Sequence, residues 1–154
     1  MKRMRRIATN PVVFAALFFL LLGCDAAARD SEAYDSVETI TAGCGGGIAG
    51  IIEVAYVHRD GQVEYRMFSS IARRPGPDSV SVSRVDGWLE SLEAARFFQQ
   101  ESPKSERYPD QISCGISLVG PHRTHGIEVY LDLPGDPEIL RVFKEVYGLI
   151  QRAQ

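Results

Sequence analysis

The chain has 154 residues, 45% of them hydrophobic, with 17 Lys+Arg against 20 Asp+Glu and a formal net charge of −3. That length fits a single domain of ordinary size. The charge leaves no basic excess with which to hold a nucleic-acid backbone, and the hydrophobic content is too high for a disordered chain.

Residues 1–6 carry four positive charges, and the twelve residues 11–22 carry none. Basic residues followed by a short apolar run are the order of a secretory signal. Twelve helical residues span about 18 Å, short of the roughly 30 Å a permanent transmembrane helix must cross. The run ends in Leu21-Leu22-Gly23-Cys24, which resembles the lipobox of bacterial lipoprotein precursors. The resemblance implies that residues 1–23 are removed and that Cys24 carries the lipid. More than one acyl chain, at about 0.8 kcal/mol per buried CH₂, holds a domain stably on a membrane. Asp25 resembles an inner-membrane retention signal. It favours the periplasmic face of the inner membrane over the outer membrane.

Loss of residues 1–23 removes four basic and no acidic residues, leaving 13 against 20 and a net charge of −7. An acidic domain is not drawn to anionic lipid by charge, so the lipid is the membrane contact. Residues 24–42 are read as the lipidated cysteine and a polar tether, with a short frayed helix as the alternative for part of it. Residues 43–154 are read as the single domain. With Cys24 lipidated, Cys44 and Cys114 remain. In an oxidising compartment they are expected to form a disulfide, the other arrangement being two buried free thiols.

Along the domain, the glycine run Gly45-Gly46-Gly47-Ile48-Ala49-Gly50 is read as a flexible lead-in to the first strand or a close approach to a partner. It lacks the Gly-Lys-Ser/Thr and following helix of a phosphate loop. Residues 48–58 and 62–70 read as a hairpin around Asp60-Gly61. A two-residue type I′ turn there pairs His58 with Val63, Tyr56 with Tyr65 and Val54 with Met67. It puts Ile52, Val54, Tyr56 and His58 on the buried face, and Glu53, Ala55 and Val57 on the other.

Residues 72–83 read as a loop, with 79–83 as a candidate edge strand. A helix is expected from the N-cap Asp86 to about Gln99, its stripe being Trp88, Leu89, Leu92, Ala95 and either Phe97 or Phe98. Residues 101–111 are a polar connection. Residues 112–119 and 126–133 read as a second hairpin, with Ile112, Cys114, Ile116 and Leu118 on one face of the first strand and Ile127, Val129, Leu131 and Leu133 on one face of the second. The last helix starts at the N-cap Asp136, with Pro137 in its first position and Glu138 at the positive end of its dipole. Its buried stripe is Ile139, Phe143, Val146, Tyr147 and Ile150. The fold read from these elements is α+β: a two-layer sandwich in the order ββαββα. An antiparallel four-stranded sheet carries both helices on one face.

No residue pattern points to catalysis. His122 and His125 share a loop without a carboxylate or thiolate beside them, and His58 lies at the other hairpin tip, so neither metal nor cofactor is expected. A nucleophilic pairing of Cys44 with a histidine has no specific spacing behind it. No G-x-S-x-G elbow occurs. The chain is read as a binding module and not as an enzyme.

The domain is similar to the emfourin-type inhibitors of thermolysin-like metalloproteases over residues 46–150. The likeness rests on Gly46-Gly47-Ile48-Ala49-Gly50, on Pro109-Asp110-Gln111-Ile112 and on Pro137-Glu138-Ile139-Leu140. It implies a protease partner met by the glycine-rich segment, residues 45–50. The alternative is a structural or assembly lipoprotein that binds an envelope protein through an exposed strand edge. Nucleic acid is not expected as a partner, and the sequence leaves the oligomeric state open.

Overall fold

The structure, a computed structural model, describes residues 32–47, 50–68, 73–102, 112–129 and 135–152. The signal segment, Cys24, the connection 103–111 and the expected strand end at 130–133 with Leu131 and Leu133 lie outside the described residues, as do Ile48 and Ala49. Residues 32–35 are helical (α1). Then follow β1 (Thr39–Gly46), β2 (Ile51–His58), β3 (Val63–Phe68), the short β4 (Arg73–Arg74), α2 (Val82–Ala94) and a 3₁₀ turn (Phe97–Gln99). The chain continues through β5 (Ile112–Val119), β6 (Thr124–Val129), α3 (Pro137–Tyr147) and the short β7 (Gln151–Arg152).

The fold is α+β, and its main sheet is antiparallel with five strands in the order β3-β2-β1-β5-β6. The strand beyond the expected four is β1, and it is the central one. It pairs on one side with β2 and on the other with β5, so it joins the two hairpins. β4 and β7 form a separate two-stranded pair. Of the residues 24–42 expected to form a tether, Tyr34, Val37, Ile40 and Ala42 instead belong to the core of the domain. Ile40, Ala42 and Cys44 alternate inward, while Thr39, Thr41, Gly43 and Gly45 face the other way. Short side chains make that alternation inconspicuous in the sequence.

The first hairpin forms around Arg59-Asp60-Gly61, but its register is one residue from the expected one. Val57 pairs with Val63, Tyr56 with Glu64, Ala55 with Tyr65 and Glu53 with Met67. His58 N–H donates to Gln62 O at 2.8 Å and Gly61 N–H to His58 O at 2.9 Å, which makes a three-residue loop. Gly61 has φ +89°, and Asp60 has no positive φ. This is a type I turn closed by a left-handed glycine, where the type I′ expectation required positive φ at both positions. The slip turns β2 over. Glu53, Ala55 and Val57 face the core, and Ile52, Val54, Tyr56 and His58 face outward. The inward side of β3, with Val63, Tyr65 and Met67, is as expected.

Helix α2 begins a turn earlier than the Asp86 reading, with Ser81 at the N-cap position, because Val85 also belongs to its buried stripe. Asp86 instead pairs with Arg59 at 3.2 Å. The helix stops at Ala94, and Arg96 takes a left-handed φ of 53° before the 3₁₀ turn. That break lets both Phe97 and Phe98 enter the core, where a continuous helix would bury one of them. The candidate edge strand at 79–83 is reduced to a single bridge between Gln62 and Ser79.

β5 spans the expected residues, and β6 begins at Thr124, leaving a shorter turn at 120–123. Asp136 caps α3, its Oδ1 accepting from the N–H groups of Glu138 (2.9 Å) and Ile139 (3.2 Å). Both helices bury their stripes in one core with the inner face of the sheet, and Val142 joins the expected residues. Trp88 Nε1–H donates to Glu145 across the α2–α3 seam at 2.9 Å. No helix among the described residues is long and apolar enough to cross a membrane.

Candidate functional site

The glycine run is the turn between β1 and β2. Gly46, Gly47 and Gly50 have φ of 109°, 72° and 60°, a backbone that side chains resist, which is why glycine recurs here. Gly50 N–H donates to Gly47 O at 3.0 Å. Gly45 and Gly46 lie inside the sheet, paired on one side with Ile52 and Ile51 and on the other with Ser113 and Ile112. Their backbone is thus committed to the ladder, and the turn proper projects beyond it. Among the described residues, three of the four exposed large hydrophobics gather at this end: Ile52 (36% exposed), Phe68 (68%) and Ile112 (46%). Ile52 and Phe68 are cross-strand partners, so they form one apolar step beside the turn.

The outer face of the sheet continues from this end. Its middle row reads Arg66, Val54, Gly43, Gly115 and Glu128 across the five strands, and the next row reads Glu64, Tyr56, Thr41, Ser117 and Gly126. Small residues on β1 and β5 leave an open groove of about 500 Å³ along the centre. Ile52 and Val54 wall one side of it, and Glu128 and Ser102 the other. Gly43 is required by space, since a Cβ there would lie 2.6 Å from Glu53 O and 2.8 Å from Val54 Cγ2.

Under the same end, on the inner face, Cys44 and Cys114 are joined in a disulfide across β1 and β5. Next to Cys44 on β2 stands Glu53, 2% exposed and the buried charged residue among the described ones. Tyr147 O–H donates to Glu53 Oε2 at 2.6 Å, and the Tyr147 ring stacks on Phe143 at 5.4 Å. The type I′ register puts Glu53 on the open face. The slipped hairpin hides it, and only the three-residue loop places it inward.

The histidines do not converge on the glycine turn. His58 Nδ1 lies 3.2 Å from Thr39 Oγ1, and its Nε2 lies 3.5 Å from Glu64. His125 is a β6 residue and not a turn residue. Its Nε2 lies 2.9 Å from Gln100 O, and its ring packs edge-on against Phe97 at 5.3 Å. His122 is exposed in the turn. Among the described residues, no group of three His, Cys, Asp or Glu side chains is placed to hold a metal ion. A second groove, lined by Asp35, Arg59, Asp86, Glu90 and Glu93, is a solvated charged surface in which Arg59 already pairs with Asp86.

What this geometry offers is an apolar end and an open face, both suited to contact with a macromolecule. Comparison with protein-family models, with curated proteins and with solved structures finds no match.

Proposed function

We propose that this protein is a lipid-anchored, non-catalytic binding module of the cell envelope. Its protein partner meets the glycine-turn end of the sheet, and that partner is a thermolysin-like metalloprotease. The observation that carries the reading is the gathering of Ile52, Phe68 and Ile112 around the turn of Gly46, Gly47 and Gly50. Exposed apolar side chains beside a backbone without Cβ atoms favour close approach of a partner chain. The chain joins β1 at Thr39, one strand length or about 25 Å from that turn.

The test uses the soluble chain from Ala26 onward. It is expected to slow a thermolysin-like protease at micromolar concentration, and Phe68→Ser is expected to weaken that effect by about tenfold. Full protease activity in the presence of excess domain removes the protease reading. For the anchor, palmitate labelling of the full chain is expected to be lost in Cys24→Ser. Equal labelling of the two removes the lipoprotein reading.

A second reading, an assembly lipoprotein that adds a partner strand to an edge, is favoured by β6. Glu128 N–H points away from β5 but is already taken by Ser102 Oγ at 2.9 Å, so the open part of this edge is its Thr124–Gly126 end. By the alternation of an antiparallel ladder, Gly126 and Thr124 also turn their backbone groups outward. At the other edge, the start of β3 is covered, since Val63 N–H donates to Asp78 O at 2.9 Å. Loss of partner capture on changing Gly126 to Pro, with protease inhibition unchanged, would favour this second reading.

A further inference from the structure

We infer that the outer face of the sheet is a self-association surface, and that its occupant is a second copy of this chain. The face has a ridge and a trough side by side. Val54 and Tyr56 stand up on β2, while Gly43, Gly115 and Ser117 leave a trough over β1 and β5. Opposite charges stand at its two edges in one row, Arg66 on β3 and Glu128 on β6.

A two-fold axis lying in the face and running along β1 turns the sheet over while keeping its rows in register. β2 of one copy then lies over β5 of the other, and β3 lies over β6. Val54 falls onto Gly115 of the second copy, Tyr56 onto Ser117, and Arg66 meets Glu128. The two-fold repeats each contact, as an isologous interface requires. The two sheets pack aligned, at the separation of about 10 Å usual for facing sheets. An unrelated partner would have to supply a ridge, a trough and two charges at these spacings, whereas the face already supplies its own complement.

Arg66 and Glu128 lie four interstrand spacings apart in one copy, about 19 Å, so they cannot pair within it. A carboxylate has about four acceptor sites, so bonds within its own chain leave room for Arg66 of a second copy. The face is about 20 Å by 25 Å, which gives about 1,000 Å² buried in total, the lower limit of a specific interface. An interface of that size is expected to form a reversible dimer. Ile52 and Phe68 stand on this same face, so the dimer and a partner at the apolar end exclude each other.

The test uses two differently tagged full-length copies in one cell, with a photocrosslinking phenylalanine analogue in place of Tyr56. Light is expected to join the two tagged copies from position 56 and not from position 144 on the helical side. Arg66→Glu and Glu128→Arg are each expected to reduce the crosslinked dimer about tenfold, since each places like charges together twice in the dimer. The double swap is expected to restore it. Rescue separates an intermolecular pair from damage to folding, because the two side chains are out of reach within one chain. No dimer from position 56, failure of the double swap to restore it, or crosslinking to a different protein would overturn the inference.

Discussion

Cys44 and Cys114 stand directly opposite each other on adjacent antiparallel strands, Cα atoms 4.0 Å apart, and their disulfide closes a separation of 70 residues. The bond crosses the seam between the β1-β2-β3 meander and the β5-β6 hairpin. That seam is a long-range pairing, so its closure is entropically costly for the open chain. In the chain-entropy model a loop of this length contributes about 4 kcal/mol. Replacing both cysteines by alanine is expected to lower the unfolding free energy in urea by about that amount. A loss below about 1 kcal/mol would show that the bridge adds little to a seam the ladder already holds.

Gly43 and Gly87 should respond to alanine with opposite signs. A Cβ at Gly43 would press on Glu53 O and Val54 Cγ2, inside a central strand with neighbours on both sides. Gly43→Ala is expected to destabilise by about 2 kcal/mol, because the β1–β2 spacing must open. Gly87 lies inside α2 with nothing within 4 Å of its Cβ position. Gly87→Ala is expected to stabilise by about 0.5–1 kcal/mol through helix propensity. Thermal denaturation of the two variants beside the parent checks both signs.

The Glu53–Tyr147 hydrogen bond ties β2 to α3 through a buried carboxylate. Tyr147→Phe keeps the ring on Phe143 and removes only the O–H donor. The expected cost is about 2 kcal/mol, in the range for removing one partner of a buried hydrogen bond. Adding Glu53→Gln should cost less in the Tyr147→Phe background than in the parent, since the two groups share one interaction. Strict additivity in urea titrations would remove the coupling.

Both helix faces and the second hairpin were legible in the sequence because large apolar residues repeat there at the period of the element. Ile116 and Leu118 alternate, and Ile139, Phe143 and Val146 recur on one helical side. The central strand was not legible. Thr39-Ile40-Thr41-Ala42-Gly43-Cys44 alternates correctly, but of its inward residues only Ile40 is large, and its outward ones are threonine or glycine. The register of the first hairpin failed on one torsion angle. Asp-Gly serves a type I′ turn or the end of a three-residue loop, and only the sign of φ at Asp60 decides between them. That single choice moved Glu53 from surface to core and Val54 and Tyr56 from core to surface. The outer face was hidden by the same slip. The cysteine pair was legible through counting, while its place at the β1–β5 seam required the extra strand.

The last prediction concerns pH and the seam between the helices. Glu145 accepts from Trp88 Nε1–H at 2.9 Å, from Arg141 at 2.6 Å, and lies 3.7 Å from Arg84. The Trp88 hydrogen bond, then Arg141 by hydrogen bond and charge, holds its carboxyl below the usual value of 4.5, and partial burial opposes them. The folded state thus releases this proton more readily than the unfolded chain does. Its contribution is complete above the unfolded value and is lost as pH falls through the lowered folded one. Arg141 itself is held above its ordinary value by Glu145 and Glu138, so it stays charged throughout. Glu145→Gln keeps an acceptor for Trp88 but removes the titration. The parent should exceed this variant in stability by a constant margin above the ordinary carboxyl value, and the margin should shrink progressively as pH falls below it. Urea midpoints on both sides of that value provide the measurement. A margin that stays constant down to the acid end would place the acid sensitivity of the helix seam in another carboxylate.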